Sequence, residues 1–191
     1  MSQDNQRHKS FFLTSVSVGV LCLLFYVYLC FLEARSDNSP FVNSKQQVVY
    51  RKPLTDEERV AECKKVKACR LLGEVGYFEA RGEKTDVAIA GPMFVALNRR
   101  DNPRYWGNSL RKVVYAPWQF SYTHDGSLER GIKEKKAYER VLKIAHYVWS
   151  GEVEDPTHNS DHYHAKRVKP EWSTKMRKTV VLGNHIYYKG R

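Results

Sequence analysis

The chain has 191 residues, 42% hydrophobic and 13% aromatic, which supplies the core of one medium domain and leaves no room for two full ones. Lys and Arg outnumber Asp and Glu by 32 to 21, and the net charge of +11 points to a polyanionic partner without choosing among nucleic acid, anionic lipid and an acidic wall polymer. The four cysteines, at 22, 30, 63 and 69, argue against a disulfide framework and have no recognisable metal-site spacing. On one continuous helix Cys63 and Cys69 stand roughly 9 Å apart by rise alone, too far to bridge without a helix break.

Residues 11–32, FFLTSVSVGVLCLLFYVYLCFL, contain no charged side chain over 22 positions. That length spans a hydrocarbon core of about 30 Å. Arg7, His8 and Lys9 precede the run, while Glu33, Arg35 and Asp37 follow it. The positive-inside rule keeps residues 1–10 cytoplasmic and exports the rest. The run exceeds the usual signal-peptide core and no A-x-A-like site follows, so an uncleaved anchor is expected over a cleaved leader. Residues 33–54 form a linker, whose stretch 36–54 is polar with two prolines. A domain over 55–191 follows. Without residues 1–35 the chain still carries a net charge of +10, so the basic bias belongs to the exported part and no nucleic-acid partner is expected.

Thr55-Asp56-Glu57-Glu58 is a capping box. It predicts a helix through Val60, Cys63, Val66, Leu71, Val75 and Phe78 to Arg81, closed by Gly82. A second helix is predicted from Asp86 to Arg99, kinked or split at Pro92. Residues 110–124, β-branched and aromatic around Pro117, read as a short strand or irregular loop. Asp125-Gly126 reads as a turn, and residues 129–149 as a helix closed by Gly151. The tail from Pro156 is loop-rich and aromatic.

Three stretches carry residue types suited to chemistry. In EARGE, residues 79–83, Glu79 follows Tyr77-Phe78. An apolar wall there would raise its pKa into the range of a general acid, and a negative Glu83 would push the same way. A solvated helix end would show the same letters. In QFSYTHDG, residues 119–126, Gln119 offers amide donors and an acceptor to sugar groups, and Tyr122 a stacking face. A buried hairpin is the plainer reading of that stretch. In HNSDHYH, residues 158–164, His158, Asp161, His162 and His164, with His185, have the residue types of a zinc site but not a specific ligand spacing. H-E-x-x-H, G-x-S-x-G and P-loop strings are all missing from the sequence.

In order along the chain, YFEARGE at 77–83, VALNRR at 95–100, VVYAPWQFSYTHDG at 113–126, DPTHNSDHYHAKRVKPEWS at 155–173 and LGNHIYY at 182–188 resemble the motifs of the SleB/CwlJ-type cell-wall hydrolases. These are the spore-cortex-lytic enzymes and their phage and proteobacterial relatives. The resemblance covers residues 65–190. This chain departs from the pattern at Gly91-Pro92, His124 and Asn159-Ser160-Asp161.

The resemblance implies a mainly helical α+β domain, like lysozyme and the lytic transglycosylases, with a small β element. It implies peptidoglycan as partner, Glu79 as acid and then base, and cleavage between MurNAc and GlcNAc that closes a 1,6-anhydro ring. Glu83, Gln119, Tyr122, Tyr163, His164, Asn184 and His185 are expected to support the site or contact sugar, with no cofactor and no metal. Glu83 is expected as a structural or pKa-tuning partner of Glu79. Alternatives are hydrolysis by water, a zinc amidase or peptidase built on the histidines, and an inactive wall-binding protein. A phage lysis enzyme is one form of the expected protein.

Overall fold

A computed structural model describes residues 52–103 and 106–190. The expected cytoplasmic segment, the expected span at 11–32 and nearly all of the linker lie outside the described residues. Among the described residues, no helix is long and apolar enough to cross a membrane.

The capping box forms as expected: Glu58 N–H donates to the Thr55 hydroxyl at 3.2 Å, and Thr55 N–H to the Glu58 carboxylate at 2.7 Å. The helix it starts does not run to Arg81. It stops as α1, Asp56–Lys65, and the chain restarts as α2, Lys67–Ala80, because Val66 takes an extended conformation with ψ 114°. The break brings the Cα atoms of Cys63 and Cys69 to 5.1 Å, and the two form a disulfide. This corrects the expectation from rise alone, which assumed an unbroken helix. Arg70 donates to the freed Lys64 carbonyl at 2.8 Å, filling one acceptor the break exposes. Gly82 does not take the left-handed conformation of a glycine cap.

Helix α3, Asp86–Asp101, is one continuous element that includes Pro92, so the expected split does not occur. A helical proline costs about 3 kcal/mol. Ile89, Met93, Val95 and Ala96 on the same helix are all fully buried. At roughly 1.5–3 kcal/mol for each large apolar side chain, their burial outweighs the missing bond. Gly91 is equally placed: a Cβ there would collide with the Tyr187 ring, so the helix must be bare where that tyrosine crosses it.

Residues 110–114 also differ from expectation. They form helix α4, Leu110–Val114, capped by Ser109, whose hydroxyl accepts from Lys112 N–H at 3.3 Å. The cap and the burial of Leu110, Val113 and Val114 override the β preference of the paired valines. The expected helix over 129–149 is divided by Gly131, at φ 68°, into α5, Ser127–Arg130, and α6, Lys135–Ser150. Gly151 closes α6 with φ 73°, as expected. Helices α1, α2, α3 and α6 pack on one another around the core.

The β structure lies in the tail. Strands β1, His162–Ala165, β2, Arg177–Leu182, and β3, His185–Lys189, form an antiparallel sheet in the order β1-β3-β2. Cross-strand pairing of Tyr163 with Tyr187 and of Ala165 with His185 puts these four on one face. His162, His164, Ile186 and Tyr188 occupy the other face, where Trp172 packs against His162, His164 and Tyr188. Because side chains alternate across a strand, His185 and the pair His162 and His164 point to opposite sides. The histidines read as a possible zinc set are therefore not brought together.

Candidate active site

The motif at 77–83 divides its labour residue by residue. The Tyr77 hydroxyl accepts from Lys133 and Glu134 N–H at 3.2 and 3.1 Å, tying α2 to the residues that lead into α6. Phe78 stacks on Tyr122 with centroids 4.8 Å apart. Arg81 bridges to Glu134 at 2.9 Å and lies over the Tyr77 ring. Glu79 stands in the last turn of α2, between these anchors.

One Glu79 oxygen, Oε2, accepts from the Tyr163 hydroxyl at 2.9 Å. The other, Oε1, is buried without a hydrogen-bond partner. Burial raises the Glu79 pKa above the ordinary carboxylate range, and the Asp125 charge adds to it. The Tyr163 hydrogen bond and the Arg99 charge oppose that shift. The result is a carboxyl group that holds its proton to higher pH than usual and keeps one oxygen buried without a hydrogen-bond partner.

Glu83 is not a second carboxylate of this kind. The helix has ended, and Glu83 is 6% exposed beneath the β2–β3 hairpin. Its Oε1 accepts from Asn184 N–H at 2.9 Å and lies 3.3 Å from His185 Nδ1. Burial lowers the His185 pKa, and the neighbouring Glu83 opposes that shift. Gly183 opens the hairpin at φ 54°, and a Cβ there would strike the Glu83 carboxylate. Of the two roles expected for Glu83, the contacts give the structural one. The negative charge that raises the Glu79 pKa belongs to Asp125.

The Asn98-Arg99 pair explains the middle motif. Asn98 Nδ2 donates to Asp155 at 2.9 Å and to the Ser160 carbonyl at 3.0 Å, while Asp155 also accepts from Thr157 N–H at 2.8 Å. Asn98 thus latches the Asp155-Pro156-Thr157 loop to α3. Arg99 is 5% exposed, with its guanidinium over Trp106 at 4.4 Å and its Nε donating to the Asp161 carbonyl at 2.7 Å. One terminal nitrogen is buried without a partner, and desolvation lowers the Arg99 pKa. A buried cation that forms no ion pair among the described residues, and whose charge acts on Glu79, is suited to hold the carboxylate once its proton has left. Sequence reading missed Arg99, and its burial among Trp106, Phe120 and Asp161 comes from distant parts of the chain.

The remaining expected residues fall into two groups. Tyr163, His185 and Asn184 gather around Glu79 and Glu83. Tyr163 stacks on Tyr187, with His185 edge-on to it at 5.5 Å. His164 lies on the far face of the sheet, its Nε2 3.0 Å from the Tyr188 hydroxyl and its Nδ1 2.9 Å from the Ala165 carbonyl. It fixes the strands and stands apart from the acid. Tyr122 is 2% exposed, and its ring is part of the core under Phe78. Gln119 spends its Nε2 on the Pro117 carbonyl, at 3.2 Å.

The sequence profile of the family described as Cell Wall Hydrolase matches residues 82–188, more than half of the chain. The matched span opens just beyond Glu79, so the reading of that residue rests on its surroundings and on the YFEARGE string. No curated protein matches the chain. Two solved structures are similar to it. The catalytic domain of the germination-specific lytic transglycosylase SleB from Bacillus anthracis is 26% identical, over 64% of this chain and 93% of that one, with a TM-score of 0.48. The catalytic domain of the Bacillus cereus SleB protein is 24% identical, over 64% and 89%, with a TM-score of 0.49. On the profile match and the ordered motifs, the chain belongs to the cell-wall hydrolase family of the SleB/CwlJ type.

Proposed function

We propose that this domain cleaves the MurNAc–GlcNAc bond of peptidoglycan as a lytic transglycosylase, with Glu79 serving first as acid and then as base. The observation that carries this reading is the state of Glu79: a buried carboxyl with one oxygen held by Tyr163 and the other unclaimed. The protonated Glu79 gives its proton to the glycosidic oxygen as the C–O bond breaks. Its carboxylate then accepts the proton of the muramyl 6-hydroxyl, whose oxygen closes on C1. No water is consumed, and Glu79 ends protonated again. Arg99 is a positioning residue that favours the intermediate carboxylate.

Ordinary glycosidase hydrolysis needs two carboxylates at a defined separation. Glu83 is taken up by the hairpin, which favours the single-carboxylate route. Asp125 supports the hydrolytic alternative. It is an exposed anion whose pKa is lowered by its bonds to Ser127, and it acts on Glu79. Mass spectrometry of digested peptidoglycan separates the two. Anhydro-muramyl ends support the proposal, free reducing ends support hydrolysis with Asp125 engaged, and free stem peptides overturn both.

The Cys63–Cys69 disulfide supports action in an oxidising, exported compartment. The uncharged run at 11–32, with its basic leading flank, supports an uncleaved anchor. Protease added to spheroplasts is expected to digest the domain, and full protection would remove this part of the proposal.

A further inference from the structure

The loop between α4 and α5 begins with a turn built in an unusual way. Gln119 N–H donates to the Ala116 carbonyl at 3.2 Å, with Pro117 second in the turn and Trp118 third at φ 64°. Proline followed by a positive φ is the arrangement of a type II turn, whose third position normally takes Gly or Asn. A bulky residue there is strained. Gln119 locks the turn a second time through its side-chain bond to the Pro117 carbonyl.

The strain does not serve burial, since Trp118 is 83% exposed. Among the described residues its ring meets His124 edge-on, with centroids 4.9 Å apart. Neither backbone preference nor core packing accounts for a tryptophan held this way. Strain that the fold retains without a packing return is a pointer to function. The same loop leads to the acid. Phe120 lies beneath Arg99, Tyr122 stacks on the residue before Glu79, and Asp125 acts electrostatically on Glu79.

We propose that Trp118, braced by His124, is a stacking platform for a sugar ring of the glycan strand, outside the point of cleavage. An indole face suits the apolar C–H face of a pyranose, and needs neither charge nor a particular substituent on the sugar. The turn holds the indole open in advance, so little ordering is left for binding to supply. This inference rests on the glycan-cleaving reading above.

The test uses Trp118→Gly, which suits the positive φ. Its melting temperature is expected to equal or exceed that of the parent, while KM for soluble glycan strands rises about three- to tenfold and kcat moves far less. Trp118→Tyr is expected to restore most of the KM. In a Glu79→Gln background, titration with GlcNAc–MurNAc oligosaccharide should change the indole fluorescence, and adding Trp118→Gly should remove most of that change. A parent enzyme that digests glycan beside a Trp118→Gly variant with unaltered KM and fluorescence response overturns the platform alone. A parent that neither digests nor binds glycan overturns the cleavage reading, and the platform with it.

Discussion

Glu79 and Glu83 are four residues apart and share one motif, yet the fold uses them in opposite ways. Glu79, at the end of α2, has one phenolic donor and one buried oxygen with no partner. Glu83, past the turn, meets the Asn184 amide and the His185 ring from a hairpin 101 residues away in sequence. A buried carboxyl short of donors is costly to ionise and keeps its proton for a substrate. One that receives the Asn184 backbone and side-chain amides is a latch. The residue type is the same, and the donors each receives set the two apart.

The largest expected effect breaks the first half of this contrast. Glu79→Gln keeps size and removes the proton, so activity should fall about 10²–10⁴-fold in wall-digestion assays. Its circular dichroism should not change. Stability carries a sign as well. A carboxyl whose folded pKa is raised favours the protonated fold, and that contribution is present at low pH and lost as pH rises through the raised value. Glu79→Gln removes this dependence, so above that window the variant should melt no lower than the parent. Near-parental activity in a folded Glu79→Gln protein would move the acid elsewhere.

Glu83→Gln should show the converse pattern, with a smaller effect. A glutamine turns an N–H group toward Asn184, where a carboxylate oxygen had accepted. Leaving a buried donor unmatched costs about 1–3 kcal/mol, a drop of several degrees in melting temperature for a domain of this size. Activity below the melting range should fall far less than in Glu79→Gln. If thermal melts give both variants the same loss of stability, the distinction between acid and latch fails.

Local signals were legible in the sequence and long-range ones were not. The Thr55 capping box and the Gly151 stop involve neighbours within a turn, and both formed. The break at Val66 serves a cysteine pair that propensity does not register. The paired valines of α4 read as strand until Ser109 is recognised as a cap. The β2–β3 hairpin had a usable signal, Gly183-Asn184 between two apolar runs, hidden by the aromatic look of the tail. In the site, Glu79 and Tyr163 stand in recognisable motifs, but their contact spans 84 residues. The roles of Glu83, Asp125 and Arg99 follow only from which side chains the fold places beside them.

The smallest expected effects concern the pH profile, and they run in opposite directions. Because the donor must be protonated, kcat/KM should fall as pH rises through the Glu79 pKa. Tyr163→Phe removes a hydrogen bond that favours the ionised form, so this alkaline limb should move to higher pH. Asp125→Asn removes a negative charge that favours the protonated form, so the limb should move to lower pH. The two differ in kind as well as sign. Tyr163 acts through a direct, part-buried hydrogen bond, whereas Asp125 is exposed and acts through space. Salt shortens the reach of exposed charges to about 3 Å at 1 M and weakens a part-buried hydrogen bond much less. Profiles at low and high salt should therefore show the Asp125→Asn displacement fading while the Tyr163→Phe displacement persists. Two displacements of the same sign would mean that the titrating group in the profile is not Glu79. An Asp125→Asn enzyme that loses activity at every pH would give that carboxylate a direct part in the reaction and favour hydrolysis by water.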